Sequence, residues 1–164
     1  MKTVNDLEKL FDKLFPINRS IMGEGFRQSL KILTKSLNFN FIKINTNTKV
    51  YDWKIPLEWN ISDAFILTPT NKKICQFKKN NLHVMGYSTP VNKFINFEEL
   101  KKNLYFIKEI PNAIPYITSY YKRNWGFCLK YKDYKRLQEG KYKVYINSSL
   151  KKGNLVIGEK LIKG

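Results

Sequence analysis

The residues between Ile114 and Leu129 are the chain's densest run of side chains that could contact a ligand. Tyr116, Tyr120, Tyr121, Trp125 and Phe127 fall there together with Pro115, Arg123 and Gly126, in a chain otherwise rich in Lys, Asn and Ile. Aromatic rings are large and costly to leave in water, so such a segment forms either a core strand or the wall of a binding site. Tyr120, Tyr121, Arg123 and Trp125 are the candidate ligand contacts. Flat rings stack on sugars or peptide groups, and a guanidinium pairs with carboxylates. Adjacent tyrosines on a strand point to opposite faces, which would bury one and present the other.

Hydrolytic chemistry finds little else to work with. His83 is the sole histidine, set between Leu82 and Val84, and one imidazole does not hold zinc. A satisfied or surface histidine is the simpler reading. Cys128 as a nucleophile would need a neighbouring base and a lowered pKa; its neighbours supply no base, which leaves core packing. Asp52 and Asp63 show no sign of a carboxylate pair poised for glycoside hydrolysis. Trp53 and Trp59 bracket Pro56 and read either as a stacking platform or as the cover of a small satellite core.

Composition bounds the rest. A chain of 164 residues can bury roughly 70% of its unfolded surface. Its apolar fraction of 43% and aromatic fraction of 15% indicate a packed fold. The net charge of +17 invites a nucleic-acid reading. Against that, nearly all the cations are lysines scattered along the chain, and Arg19, Arg27, Arg123 and Arg136 are the only arginines. Arginine is the better phosphate and base reader, so a solvated cationic surface is preferred. No apolar run is long enough to span a membrane, and the acids near Met1 do not suit a signal peptide. A cytoplasmic location is therefore expected, with Cys75 and Cys128 as small buried hydrophobes.

The expected class is α+β. A first helix carries Leu7, Leu10, Phe11 and Leu14 on one stripe, with Asn5 and Glu8 in capping-box spacing, and ends at Phe15-Pro16. A second runs from Glu24 to Leu37, with Phe26, Leu30, Leu33 and Leu37 on its stripe and Asn38 as its cap. A strand follows at 39–44. From Lys49 the pattern is β, including a hairpin of 63–67 with 73–77 about Pro69-Thr70-Asn71 and a strand at 82–87. A short helix opens at Asn96, a strand covers 125–129, and a helix runs from Tyr131 to Gln138. Alternation at 141–146 and an apolar run at 155–162 give the last strands. Trp53, Phe65, Ile74, Val84, Leu100, Tyr116, Phe127 and Val144 are the expected core of the β-rich body.

Four segments in this order carry a family resemblance: 14–27 (LFPINRSIMGEGFR), 50–61 (VYDWKIPLEWNI), 82–90 (LHVMGYSTP) and the aromatic stretch 114–129. Together they resemble the N-terminal portion of aminopeptidase-like proteins found among bacterial surface-polysaccharide genes, relatives of the co-catalytic zinc aminopeptidases. The resemblance implies a division into 1–48 (helices and first strand of the hydrolase core), 49–147 (a β-rich inserted domain) and 148–164 (a strand returning to the core). Two helices would then pack on strands of an incomplete α/β hydrolase layer. The complete family member is expected to hold zinc through a later segment that opens with His-Cys-His-Pro. The present chain ends at Gly164 without such a ligand set, so no cofactor is expected in it.

By the same resemblance an arginine in the loop between the helices lies near the catalytic cleft, which makes Arg19 a substrate contact. Capping of helix carbonyls or pairing with Glu24 is the plainer role. The partner implied is the absent catalytic half, with a peptide-like or glycan ligand. If that half's sheet is missing, the two helices should leave an apolar patch, tested by Leu10, Leu14, Leu30, Leu33, Ile42, Val156 and Leu161. The alternative function is a stand-alone glycan- or peptide-binding module, and a basic nucleic-acid binder comes third.

Overall fold

The computed structural model describes residues 3–35 and 37–163. The chain folds as mixed helix and strand in two compact units, one from the residues up to Asn60 together with those from Lys151 on, the other Ile61–Leu150.

In the first unit, helix α1 spans Val4–Leu14. Its cap is Thr3 rather than Asn5: the Asp6 N–H donates to Thr3 Oγ1 at 3.3 Å and the Thr3 N–H to Asp6 Oδ2 at 3.1 Å. The reciprocal box therefore starts two residues earlier than the Asn5–Glu8 spacing predicts, because Thr3 places an acid three residues on. Helix α2 spans Glu24–Thr34 and stops short of Leu37, although the Leu37 N–H still donates to the Leu33 carbonyl. Ser36, within the predicted helix, lies outside the described residues. Its N-cap, Gly23, has φ 142°, and a Cβ there would come within 2.5 Å of the Trp59 carbonyl oxygen, so only glycine fits.

Strand β1 (Asn40–Asn45) pairs antiparallel with β10 (Asn154–Glu159), from Asn40 opposite Glu159 to Asn45 opposite Asn154. Strands β2 (Lys49–Val50) and β3 (Trp53–Lys54) form a minimal hairpin. Buried side chains in this unit are few, chiefly Met22, Ile55, Trp59 and Val156. No α1 residue is buried, and in α2 only Ser29 is. Of the seven apolar residues named above, Val156 is buried, Leu10, Leu14, Leu30 and Leu33 are half-buried, and Ile42 and Leu161 are exposed.

The second unit is built on a four-stranded sheet in the order β5-β4-β9-β6, where β4 is Glu58–Leu67, β5 Lys73–Ile74, β6 Val91–Asn96 and β9 Lys141–Lys151. The predicted hairpin is present, with Ile66 opposite Ile74 and Leu67 opposite Lys73, and Asn71 takes the left-handed turn position at φ 58°. Period-two alternation sends Ala64, Ile66, Ile95, Tyr142, Val144 and Ile146 to one face, where all are nearly inaccessible. They join Phe97, Leu100, Leu104, Phe127 and Leu129 in one core.

Helix α3 (Phe97–Lys101) is capped by Asn96, whose Oδ1 accepts from the Glu99 N–H at 2.8 Å. Strand β7 (Leu104–Tyr105) pairs parallel with β8 (Phe127–Cys128). Helix α4 is only Tyr131–Tyr134, four residues short of the predicted end at Gln138. The expected strand at 82–87 is instead a 3-10 turn, Asn81–His83, followed by single bridges Val84–Phe127 and Gly86–Thr118. Tyr87 itself sits at φ 64°, a conformation no extended strand has.

Of the expected core, Val84, Leu100, Phe127 and Val144 are buried, and Trp53, Phe65 and Ile74 are half-buried. Tyr116 is 67% exposed and is not core. Phe65 lies on the outer side of β4 because Ala64 and Ile66 take the inner one.

Candidate functional site

Two of the segments singled out in the sequence close on each other within the second unit. The Met85 N–H donates to the Gly126 carbonyl, Gly86 to Ile117, Ser119 to Gly86, and Thr89 to Asn124, at 2.8 to 3.1 Å. Ser88, fully buried, ties the pair together: its Oγ donates to the Met85 carbonyl at 2.7 Å and accepts from the Gly126 N–H at 3.2 Å. Gly126 is closely packed: a Cβ would lie 2.5 Å from Tyr105 Cε2 and 3.1 Å from the Asn103 carbonyl oxygen, so the Tyr105 ring would have to shift.

On this frame Tyr120 packs edge-on against buried Tyr87 (5.6 Å between ring centroids) and against Tyr121 (4.4 Å). Tyr120 is half-buried and Tyr121 is 76% exposed, so one ring is sheltered while the other faces water. Trp125 packs on the core with Lys93 Nζ 5.8 Å from its ring, and Arg123 is exposed. Of the four candidates, Tyr120 packs against Tyr87, Tyr121 against Tyr120 and Trp125 against the core, while Arg123 is exposed. Trp59 is buried and cannot belong to an open platform with Trp53.

The same unit holds a cavity of about 560 Å³, within the range of small-molecule sites. None of Tyr120, Tyr121, Arg123 or Trp125 lines it. Its walls combine His83, Asp133, Arg136 and Gln138 with apolar Ile74, Leu129 and Leu137. His83 Nδ1 lies 2.8 Å from the Cys128 carbonyl oxygen, which can only accept, so Nδ1 carries the proton. In the neutral ring Nε2 is then an acceptor. The Tyr142 hydroxyl, also in the wall, donates to the Gln138 carbonyl at 2.7 Å.

Cys75, another wall residue, sits in the left-handed region at φ 48°, and burial pushes its thiol up to about 12. Burial pushes Cys128 to about 12 as well. Neither thiol is activated for nucleophilic attack. The cavity can bind, orient and exchange hydrogen bonds. A second groove of about 340 Å³ runs between Leu104–Ile107 and Pro115–Ile117, with exposed Tyr116 on its border. The cavity's His83 was weighed in the sequence, but Asp133, Arg136 and Gln138 were not. Only their shared place beside α4 unites them, and no local spacing announces it.

In the first unit Arg19 donates to the Leu14 carbonyl and so closes the end of α1. The strongest polar contact there joins Arg27 and Glu58. Nη1 and Nη2 reach Glu58 Oε2 and Oε1, each at 2.7 Å, while Nη2 also meets Glu24 Oε2 at 2.8 Å. Asn60 Nδ2 donates to Glu58 Oε1 at 3.0 Å. The guanidinium of Arg27 holds the nearly buried Glu58 carboxyl below its ordinary range, against the opposing effect of burial, and the paired carboxylates raise Arg27 further. Both residues lie inside quoted segments, yet 31 positions separate them and no helical or strand period links them.

The family resemblance implies zinc, which needs several His, Cys, Asp or Glu ligands at fixed distance. Among the described residues no group of three or more His, Cys, Asp or Glu is placed to hold a metal ion. His83 has one ring nitrogen committed to a backbone carbonyl. These residues do not fit a zinc centre. Nor is any helix among them long and apolar enough to cross a membrane.

Residues 58–149 match the family model described as a domain of unknown function (DUF2172). The chain is 44% identical, over 99% of its length, to a candidate polysaccharide biosynthesis protein with aminopeptidase-like domain from Clostridium acetobutylicum. It spans only 38% of that relative. A crystal structure of a candidate peptidase from Clostridium acetobutylicum is similar at TM-score 0.89 and 44% identity, over 94% of this chain and 36% of that one.

Proposed function

The chain belongs to the DUF2172 family, and from that premise we propose that it is the N-terminal, non-catalytic region of an aminopeptidase-like zinc hydrolase. In this reading residues 1–48 and 148–164 supply the entry helices and edge strands of an α/β hydrolase layer, and the β-rich residues 49–147 are an insertion that shapes the cleft. The similarity to a protein more than twice as long, with an aminopeptidase-like domain in its description, carries the proposal. Helix α1 supports it. Leu7, Phe11 and Phe15 are exposed although they repeat at helical spacing, the pattern of a face made for burial. The occupant proposed for that face is the catalytic half. Metal-activated water would be supplied there and not by the residues described.

The coding sequence beyond Gly164 tests this directly. An open frame encoding a His-Cys-His-Pro segment followed by further His, Asp and Glu is the expected result. A stop codon at that point contradicts it.

A second reading, a binding module for a glycan or peptide-like ligand, is favoured by the cavity beside His83 and Arg136. The two are compatible if the bound ligand is part of the hydrolase's substrate. In both readings the chain is placed in the cytoplasm, and Arg19, Tyr120, Tyr121, Arg123 and Trp125 stay as proposed substrate contacts.

A further inference from the structure

The outer face of the four-stranded sheet carries aromatic rings and lysines where a surface sheet ordinarily carries mixed polar residues. The inner face takes Ala64, Ile66, Val144 and Ile146, so the alternate positions of β4 and β9 project outward. Phe65 and Tyr145 meet there, with centroids 5.0 Å apart. Lys73 Nζ stands 3.9 Å from the Phe65 ring centre. On the far side Phe94, 61% exposed, lies opposite Lys143 in the β6–β9 register. Lys143 and Lys141 hold their ammonium groups 5.8 and 5.3 Å from its ring.

Register also sets Asn92 and Asn96 on the same side of β6, opposite Tyr145 and Lys141. Asp63 shares the Phe65 side of β4 and is paired with Lys78 at 3.6 Å. The face therefore offers rings flanked by cations, with carboxamides along the edge strand.

We propose that this face binds an acidic polysaccharide, a chain of sugars bearing carboxylates. Aromatic rings receive the C–H faces of pyranoses, the asparagines exchange hydrogen bonds with hydroxyls, and the three lysines neutralise carboxylates. Single-stranded nucleic acid also uses rings and cations on a sheet. The face has lysine in place of the arginine that reads phosphate bidentately, and the choice of glycan over nucleic acid rests in addition on the proposed reading above. The lysines now over Phe65 and Phe94 are held by weak exposed cation–π contacts, which a carboxylate can outcompete.

The test is fluorescence anisotropy of the 164-residue protein with labelled hexagalacturonate in about 0.15 M salt. Because the whole protein is strongly basic, the control must remove equal charge elsewhere. K141Q/K143Q should weaken binding by about tenfold or more, while K160Q/K163Q changes it by less than about twofold. F94A, which leaves the charge intact, should weaken it about threefold or more. All substituted positions but one are lysines and Phe94 is exposed, so folding is not at stake. Equal losses from the two lysine pairs, or no loss from F94A, would overturn the proposal in favour of general charge attraction. Tighter binding of labelled oligo-dT than of hexagalacturonate would overturn it in favour of nucleic acid, and absence of saturable hexagalacturonate binding would overturn it outright. None of these outcomes bears on whether a hydrolase frame follows Gly164, so the two proposals fail separately.

Discussion

Arg27 reaches Glu58 through both terminal nitrogens, and that contact makes the first unit sensitive to acid. Glu58 ionises below its ordinary value of 4.5, chiefly because Arg27 donates to it. A carboxyl depressed in the folded state contributes stability above its unfolded pKa and loses it as pH falls through the folded one. Thermal unfolding followed from pH 7 downward should therefore show native stability falling more steeply below 4.5 than that of Glu58→Gln. Parallel curves for the two proteins would rule this out. Arg27→Ala leaves a nearly buried carboxylate without its main partner and should cost about 2 kcal/mol, less than a fully buried pair because Arg27 is a third exposed.

The two thiols give a second readout at this scale. With burial pushing both up to about 12, Cys75 and Cys128 should resist iodoacetamide at pH 8 in the native protein and react on unfolding. Rapid native labelling of either would show that the core around them opens. The sequence carried the burial of both cysteines, because in this composition they have no other role. It did not carry the Arg27–Glu58 pair, whose partners meet only through the tertiary fold.

Elements differ in how much of their stability lies within the described chain. Phe127 on β8 is fully buried, and Phe127→Ala should cost about 3–5 kcal/mol by cavity formation. Phe11 on α1 is 63% exposed, and Phe11→Ser should change chemical-denaturation stability by less than about 0.5 kcal/mol in this chain. A large loss from the second substitution would mean that α1 is buried within these 164 residues. Both helices, the hairpin expected from 63–67 and 73–77, the capped α3 and the β1 and β10 strands were legible from local spacing and turn chemistry, although the hairpin's second strand stops at Ile74, before Cys75 turns left-handed. The 82–87 segment was not. Its apolar residues suggest extension, but they are satisfied by bridges to 117–127, contacts that no local period encodes. Phe65 and Tyr116 were misplaced for a related reason: an apolar residue type does not say which face of a pleat or groove it occupies.

For the whole molecule, the central claim is that these residues form a non-catalytic part of a larger hydrolase. Of the aromatic segment, the sheltering of Tyr120 against Tyr87 and the exposure of Tyr121 follow from adjacent residues pointing opposite ways. The cavity beside His83 was not legible, because its wall is assembled from the 68–75 turn, the 3-10 segment and the residues around α4, far apart in sequence. Zinc loading with a chromogenic amide assay tests the claim most directly. The purified chain is incubated with zinc, passed through gel filtration, and assayed for bound metal and for release from leucine p-nitroanilide. The account predicts no stoichiometric zinc and no release. Zinc retained at one or more ions per chain, with amide hydrolysis that survives repurification, would contradict it.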